Sequence, residues 1–182
     1  SLTPGRFLEI SVAELPFAMA SAKAGSRALQ EMSDRGAFSK DFADMQVLYL
    51  HAIDMGVIHT RDKPILNPAD LKGQRIRFPS TPLRNLLSAA GAVPIGAPPP
   101  QIYESLERGV MDGYTGAWNS LVVFRLAELT RHHLDLPLYT VIVCICMGKR
   151  SFDGLPQDMQ KALMDQSGLV EAERVGAAYD RA

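Results

Sequence analysis

The chain has 182 residues, with 19 basic and 20 acidic side chains, 47% apolar content and a net charge of −1. That length supports one core, or a core with a partial second lobe, and excludes collagen-like, disordered and disulfide-dense classes. The near-zero charge, with Lys and Arg spread along the chain, argues against nucleic acid as a partner. No apolar run reaches the ~18 residues of a spanning helix. The longest candidate, Leu136 to Met147, has 12 residues and suits a buried strand. The start shows no signal-peptide pattern and no initiator Met, so a processed or partial chain is expected.

Phe7 to Val12 reads as a short strand. Ser21 to Arg35 reads as a helix, capped by Ser21 and stopped at Gly36. Met45 to Leu50 and the Gly56-Val57-Ile58-His59-Thr60 run are strand candidates. Asn67 to Gly73 reads as one helical turn. Gln74 to Phe78 is a short strand with Arg75 and Arg77 on one face. Ser80 and Thr81 offer a hydroxyl cap, and Pro82 opens a helix carrying Leu83, Leu86, Leu87 and Ala90 at buried-face spacing. Val93-Pro94-Ile95 is a brief strand, and Gln101 to Arg108 a short helix stopped at Gly109. Val110 to Thr115 turns into a strand. Asn119 or Ser120 is expected to cap a helix through Leu129. His132 to Pro137 reads as a connector, and Tyr139 to Met147 as one long strand. A final helix is expected from Leu155 toward Ala182.

Short strands alternating with helices define an α/β pattern. Longer extended stretches bracket a compact middle block, as expected of paired strands linking two lobes. Residues 64–140 are expected to form one near-complete lobe, the ligand-binding core. Residues 1–63 and 141–182 are expected to form the partial other lobe.

No dinucleotide-binding, P-loop, zincin or common serine-hydrolase motif is present. Cys144 and Cys146 fall on one strand face, where a bridge between them is strained, so two buried thiols are expected. Adjacent His132 and His133 point apart, so they read as solvent-facing loop residues rather than metal ligands. Asp112 with a histidine is the only acid–base arrangement to weigh, and no nucleophile accompanies it. Arg77 has two readings. It stands at the carboxyl end of a strand, just before a helix, where a guanidinium can clamp a carboxylate. It can equally be a surface arginine paired with Asp70 or Glu104. Trp118, the single tryptophan, lies at another strand's carboxyl end and reads as a ligand wall or a core residue. Asn119 reads as a helix cap or as an amide offered to a ligand.

Leu71 to Gly113 resembles the central signature of solute-binding proteins of tripartite ATP-independent periplasmic (TRAP) transporters, the DctP-like family. That signature runs D-L-K-G-x-K-I-R-x-P, then G-A-x-P, then E-x-Y-x-A-L-x-x-G-x-V-D-G. The matches are Asp70 to Gly73, Ile76, Arg77, Pro79, Gly91, Ala92, Pro94, Tyr103, Leu106, Gly109, Asp112 and Gly113. The resemblance implies a type II periplasmic-binding-protein-like, two-lobed fold in the periplasm, and a non-enzymatic role. It implies binding of a small organic acid for delivery to TRAP permease subunits, without a cofactor or an identified metal site. It also implies that Arg77 is the main carboxylate ligand, with Trp118 and Asn119 lining the site.

Two departures narrow the ligand. The E-N-P of common acid binders is replaced by Gly116-Ala117-Trp118. The G-x-R that supplies a second arginine is Gly56-Val57-Ile58 here. One arginine and an indole favour a monocarboxylate, a 2-oxo acid or an acid with an apolar part over sialic-acid-like or C4-dicarboxylate ligands. Complete family members are longer, so a surface exposed by missing segments is expected, with self-association as one way of covering it. The alternatives are a small enzyme acting on a carboxylate and a regulatory or structural module.

Overall fold

A computed structural model describes residues 7–181. A 3-10 turn at Ile10–Glu14 precedes α1 (Ala22–Asp34), β1 (Met45–Ala52) and β2 (Gly56–Thr60). A second 3-10 turn, Pro68–Leu71, leads to β3 (Arg75–Phe78), α2 (Thr81–Ala89), β4 (Val93–Gly96), α3 (Ile102–Glu107) and β5 (Gly113–Ala117). Then follow α4 (Asn119–Val123), β6 (His132–Tyr139), β7 (Ile142–Gly148), α5 (Lys149–Asp153), α6 (Gln157–Asp165) and α7 (Leu169–Tyr179). No helix is long and apolar enough to cross a membrane among the described residues.

The chain divides into two compact units. One comprises Leu15–Phe17 and Met55–Tyr139. Its sheet has the order β4-β3-β5-β2-β6. β3 runs parallel to β4 and β5, while β2 is antiparallel to β5 and β6. The carboxyl ends of β3, β4, β5 and β6 therefore share one edge with the start of β2. Pro94, which has no N–H to donate, sits on edge strand β4, where proline is tolerated. α2 buries Leu83 and Leu87. Ile102, Leu106, Met111, Tyr114 and Leu126 form a separate buried cluster. β2 belongs to this unit because it pairs with β5 and β6 in their sheet.

The other unit holds 7–14, Ala18–Asp54 and 140–181. β1 and β7 pair antiparallel, and Ile10, Leu29, Phe38, Phe42, Leu50 and Ala52 form the core. The edge of β1 is covered by α1. Gln30 Oε1 accepts the Leu50 N–H at 2.8 Å, and Ser26 Oγ accepts that of Ala52 at 3.0 Å. Buried strand edges need such partners, because an unpaired N–H there carries its full desolvation cost.

Several expected elements differ. Phe7 to Val12 is not a strand; the chain makes a 3-10 turn over Ile10–Glu14, and Phe7 has a positive φ. The helix after β5 starts at Asn119, with Trp118 in the cap position, and ends at Val123 because Arg125 is left-handed. His132 to Pro137 is strand, not connector. The expected strand Tyr139 to Met147 is split, with Tyr139 ending β6 and β7 starting at Ile142. The single last helix is two, α6 and α7, broken at Gly168 (φ 76°), and the short α5 precedes them. Cys144 is half-buried and Cys146 exposed, and both are free thiols. Burial pushes the Cys144 thiol up, which favours its protonated form.

Candidate functional site

Arg77 is the third residue of a four-residue strand, and only 5% of it is exposed. Its Nε donates to Ala97 O at 2.9 Å and its Nη1 to Thr115 O at 3.4 Å. Ala97 directly follows β4, and Thr115 is the middle residue of β5. Thr115 Oγ1 donates back to Arg77 O at 3.0 Å. Burial pulls the guanidinium below the ordinary arginine value, with Tyr139 and Tyr114 acting in the opposite direction. Arginine nevertheless stays charged. Among the described residues no carboxylate forms an ion pair with it. The surface-pair reading of Arg77 fails, because both named partners are engaged elsewhere. Asp70 accepts from Leu66 and Asn67, and Glu104 pairs with Arg108 at 2.7 Å. A buried cation held only by neutral groups is costly without an anion.

Arg75 is the contrasting case. Asp112 Oδ2 accepts from its Nε at 3.0 Å and from its backbone N–H at 2.8 Å, while Oδ1 pairs with Nη2. That arginine, by hydrogen bonding first, holds the Asp112 carboxyl below the usual range. Asp112 is thus a structural counter-ion and not a base.

Strand register places Arg77 in a row that crosses all five strands. Ile95, Arg77, Tyr114, His59 and His133 are successive cross-strand partners. Directly opposed residues share a face. His59, which is fully buried, stacks on Tyr114 with ring centroids 4.7 Å apart. Its Nδ1 lies 2.8 Å from His133 Nδ1, and its Nε2 lies 3.2 Å from Gly116 O. Tyr114 OH meets Ser120 Oγ at 3.0 Å. Gly116 makes room for this packing, since a Cβ there would lie 2.6 Å from the Tyr114 ring.

Trp118 follows β5 and is 42% exposed. It is neither plain core nor free surface. Its Nε1 donates to Asp135 Oδ1 at 3.1 Å, and its ring meets His59 edge-on at 5.4 Å and His133 at 5.1 Å. Asn119 is half-buried at the first position of α4, so it does not cap that helix. Tyr114 and His59 link Arg77 to Trp118 across the row.

Tyr114, Tyr139, His59, His133 and Asp135 were not singled out as site residues in the sequence. A connector over His132 to Pro137 hides the alternation that places His133 and Asp135 on one face. Ser80 was expected to cap α2, but its hydroxyl makes no cap bond. It is buried without a hydrogen-bond partner. Pro82, with no N–H, occupies one of the two positions a capping oxygen serves. Among the described residues no cluster of three or more His, Cys, Asp or Glu could hold a metal. A cavity of about 240 Å³ in this unit is lined by Phe17, Ile58, Leu86, Leu134, Leu136 and neighbouring apolar residues. It offers no charge to an acid.

The family described as "Bacterial extracellular solute-binding protein, family 7" (DctP) matches residues 2–180. The chain belongs to this family. Its mixed α/β fold is that of type II periplasmic-binding proteins, with one lobe less complete. A marine metagenome TRAP solute-binding protein, specific for aromatic acid ligands and solved with metahydroxyphenylacetate, is 36% identical with a TM-score of 0.93. The match covers 99% of this family 7 chain and 57% of that one. A TRAP solute-binding protein from Rhodoferax ferrireducens, solved with copurified benzoate, is 37% identical with a TM-score of 0.90, over 99% and 57% of the two chains. A third, from Bordetella bronchiseptica with bound (R)- and (S)-mandelate, is 30% identical with a TM-score of 0.88, over 100% and 58%. The aligned stretch is about a third of the length of the curated relatives it matches.

Proposed function

We propose that the protein binds a small organic acid outside the cytoplasm, in the periplasm, and hands it to a TRAP-type permease. It performs no catalysis of its own. The observation that carries this reading is Arg77, which is buried, charged and without a carboxylate partner among the described residues. A ligand carboxylate is the counter-ion that such a guanidinium lacks, and its planar fork suits two parallel hydrogen bonds.

Within that class we propose an aromatic monocarboxylate. One unpaired arginine calls for one carboxylate, and Trp118 supplies an aromatic surface for an apolar body. Three of the similar solved proteins carry ring-bearing monocarboxylates. The 2-oxo acids share the carboxylate but offer less surface to an indole. Asn119 is proposed as a polar contact beside Trp118.

The test is a calorimetric panel of benzoate, 3-hydroxybenzoate, mandelate, pyruvate and succinate. The aromatic acids are expected to bind at least about tenfold more tightly than pyruvate or succinate, a difference of about 1.4 kcal/mol. Tighter binding of succinate would overturn the aromatic assignment and leave the organic-acid reading in place.

A further inference from the structure

The indole of Trp118 is held by side chains from two other strands. Asp135 on β6 takes its N–H, His59 on β2 presents a ring at 83° to it, and His133 on β6 packs at a tilt of 51°. The two imidazoles are themselves locked. Gly116 O can only accept, so His59 Nε2 carries a hydrogen. A neutral His59 then presents a lone pair at Nδ1, and His133 Nδ1–H donates to it. Both rings therefore have one tautomer and one rotation, fixed by a hydrogen bond that crosses from β2 to β6.

The surroundings favour this neutral pair. β5 contributes Tyr114 on one side of His59, and β3 contributes the Arg77 cation one strand further along the row. β6 contributes His133, with His132 beside it and Asp135 engaged by Trp118. A second proton at His59 would set two N–H donors against each other at 2.8 Å.

We infer that His59 and His133 are positioning residues that fix the Trp118 indole as the wall against which the ring of an aromatic acid packs. The pair acts through Trp118 and sets ring preference, while Arg77 sets the requirement for a carboxylate. This inference rests on the proposed role of Trp118 in ligand binding.

The test uses His133→Ala and Trp118→Ala, because His133 is exposed and its loss leaves the core intact. Benzoate and pyruvate are the probes, and Trp118 emission is followed from neutral to acid pH. His133→Ala is expected to weaken benzoate about tenfold and pyruvate less than about twofold, the scale of one aromatic contact. Its Trp118 emission should shift to the red, with a pH response altered from that of the parent protein, because only His59 remains beside the indole. The inference is overturned if His133→Ala leaves the benzoate-to-pyruvate ratio unchanged while Trp118→Ala collapses it. Equal losses for both acids, or an emission profile identical to the parent, overturn it as well. If Trp118→Ala itself leaves the ratio unchanged, the proposed wall and this inference fail together, and the Arg77 assignment stands on its own test.

Discussion

Arg75 and Arg77 lie two residues apart on β3, and Asp112 neutralises only the first. Spacing alone could not separate them, because alternation puts both on one face. What separates them is the neighbour each meets: Asp112 precedes β5, whereas β5 itself offers Arg77 only the Thr115 carbonyl. His59 carries a prediction at this scale. Burial, and then the charge of His133, lowers its pKa from 6.5 to about 4, against the opposing bond to Gly116. Between those values the unfolded chain binds the proton that the folded one refuses, so stability rises with pH across the window. Stability should fall as pH drops from about 6.5 to about 4, by about 3 kcal/mol if His59 dominates. His51 and His133 are also lowered, chiefly by burial, and act with the same sign. Urea midpoints across that range check this, and His59→Phe should flatten the slope.

Helix caps make the argument at the scale of elements. Ser80 occupies the cap position of α2, where a serine is ordinarily worth about 1 kcal/mol. Here its hydroxyl is buried and unbonded, so Ser80→Ala should leave stability unchanged or raise it slightly. Asp180 stands just past α7 and caps α1 from the far end of the chain. Its carboxylate accepts the N–H groups of Ala22 at 2.7 Å and Lys23 at 2.9 Å. Asp180→Ala should cost about 1–2 kcal/mol. Denaturant titration of the two variants should give opposite ranks to those expected from cap position alone. The same elements show what local pattern can convey. The buried face of α2 and the Ser21 cap of α1 follow from spacing and turn chemistry, and both are present. The strand 132–139 was hidden because polar His132, His133 and Asp135 and then Pro137 imitate a loop. Its reason is tertiary, since β2 supplies a hydrogen-bonding edge and Trp118 covers the polar side. The Arg77–Tyr114–His59–His133 row depends on cross-strand register, which no single segment encodes.

At the scale of the whole molecule, the family and the α/β class were legible because many anchors occur in order between Leu71 and Gly113. Arg77 was legible as a candidate, but its lack of a carboxylate partner was not, since that depends on where every acid of the chain ends up. The chain covers about 57% of two of the solved proteins it resembles. The central claim, that Arg77 meets a ligand carboxylate, is therefore best tested on charge itself. Benzoate and its uncharged isostere benzamide, titrated by calorimetry into the parent protein and into Arg77→Ala, form a closed cycle. The account predicts that the parent prefers benzoate by about 30-fold or more, equivalent to at least about 2 kcal/mol. It further predicts that Arg77→Ala binds both compounds weakly and without preference. A preference for benzoate that survives in Arg77→Ala would contradict it.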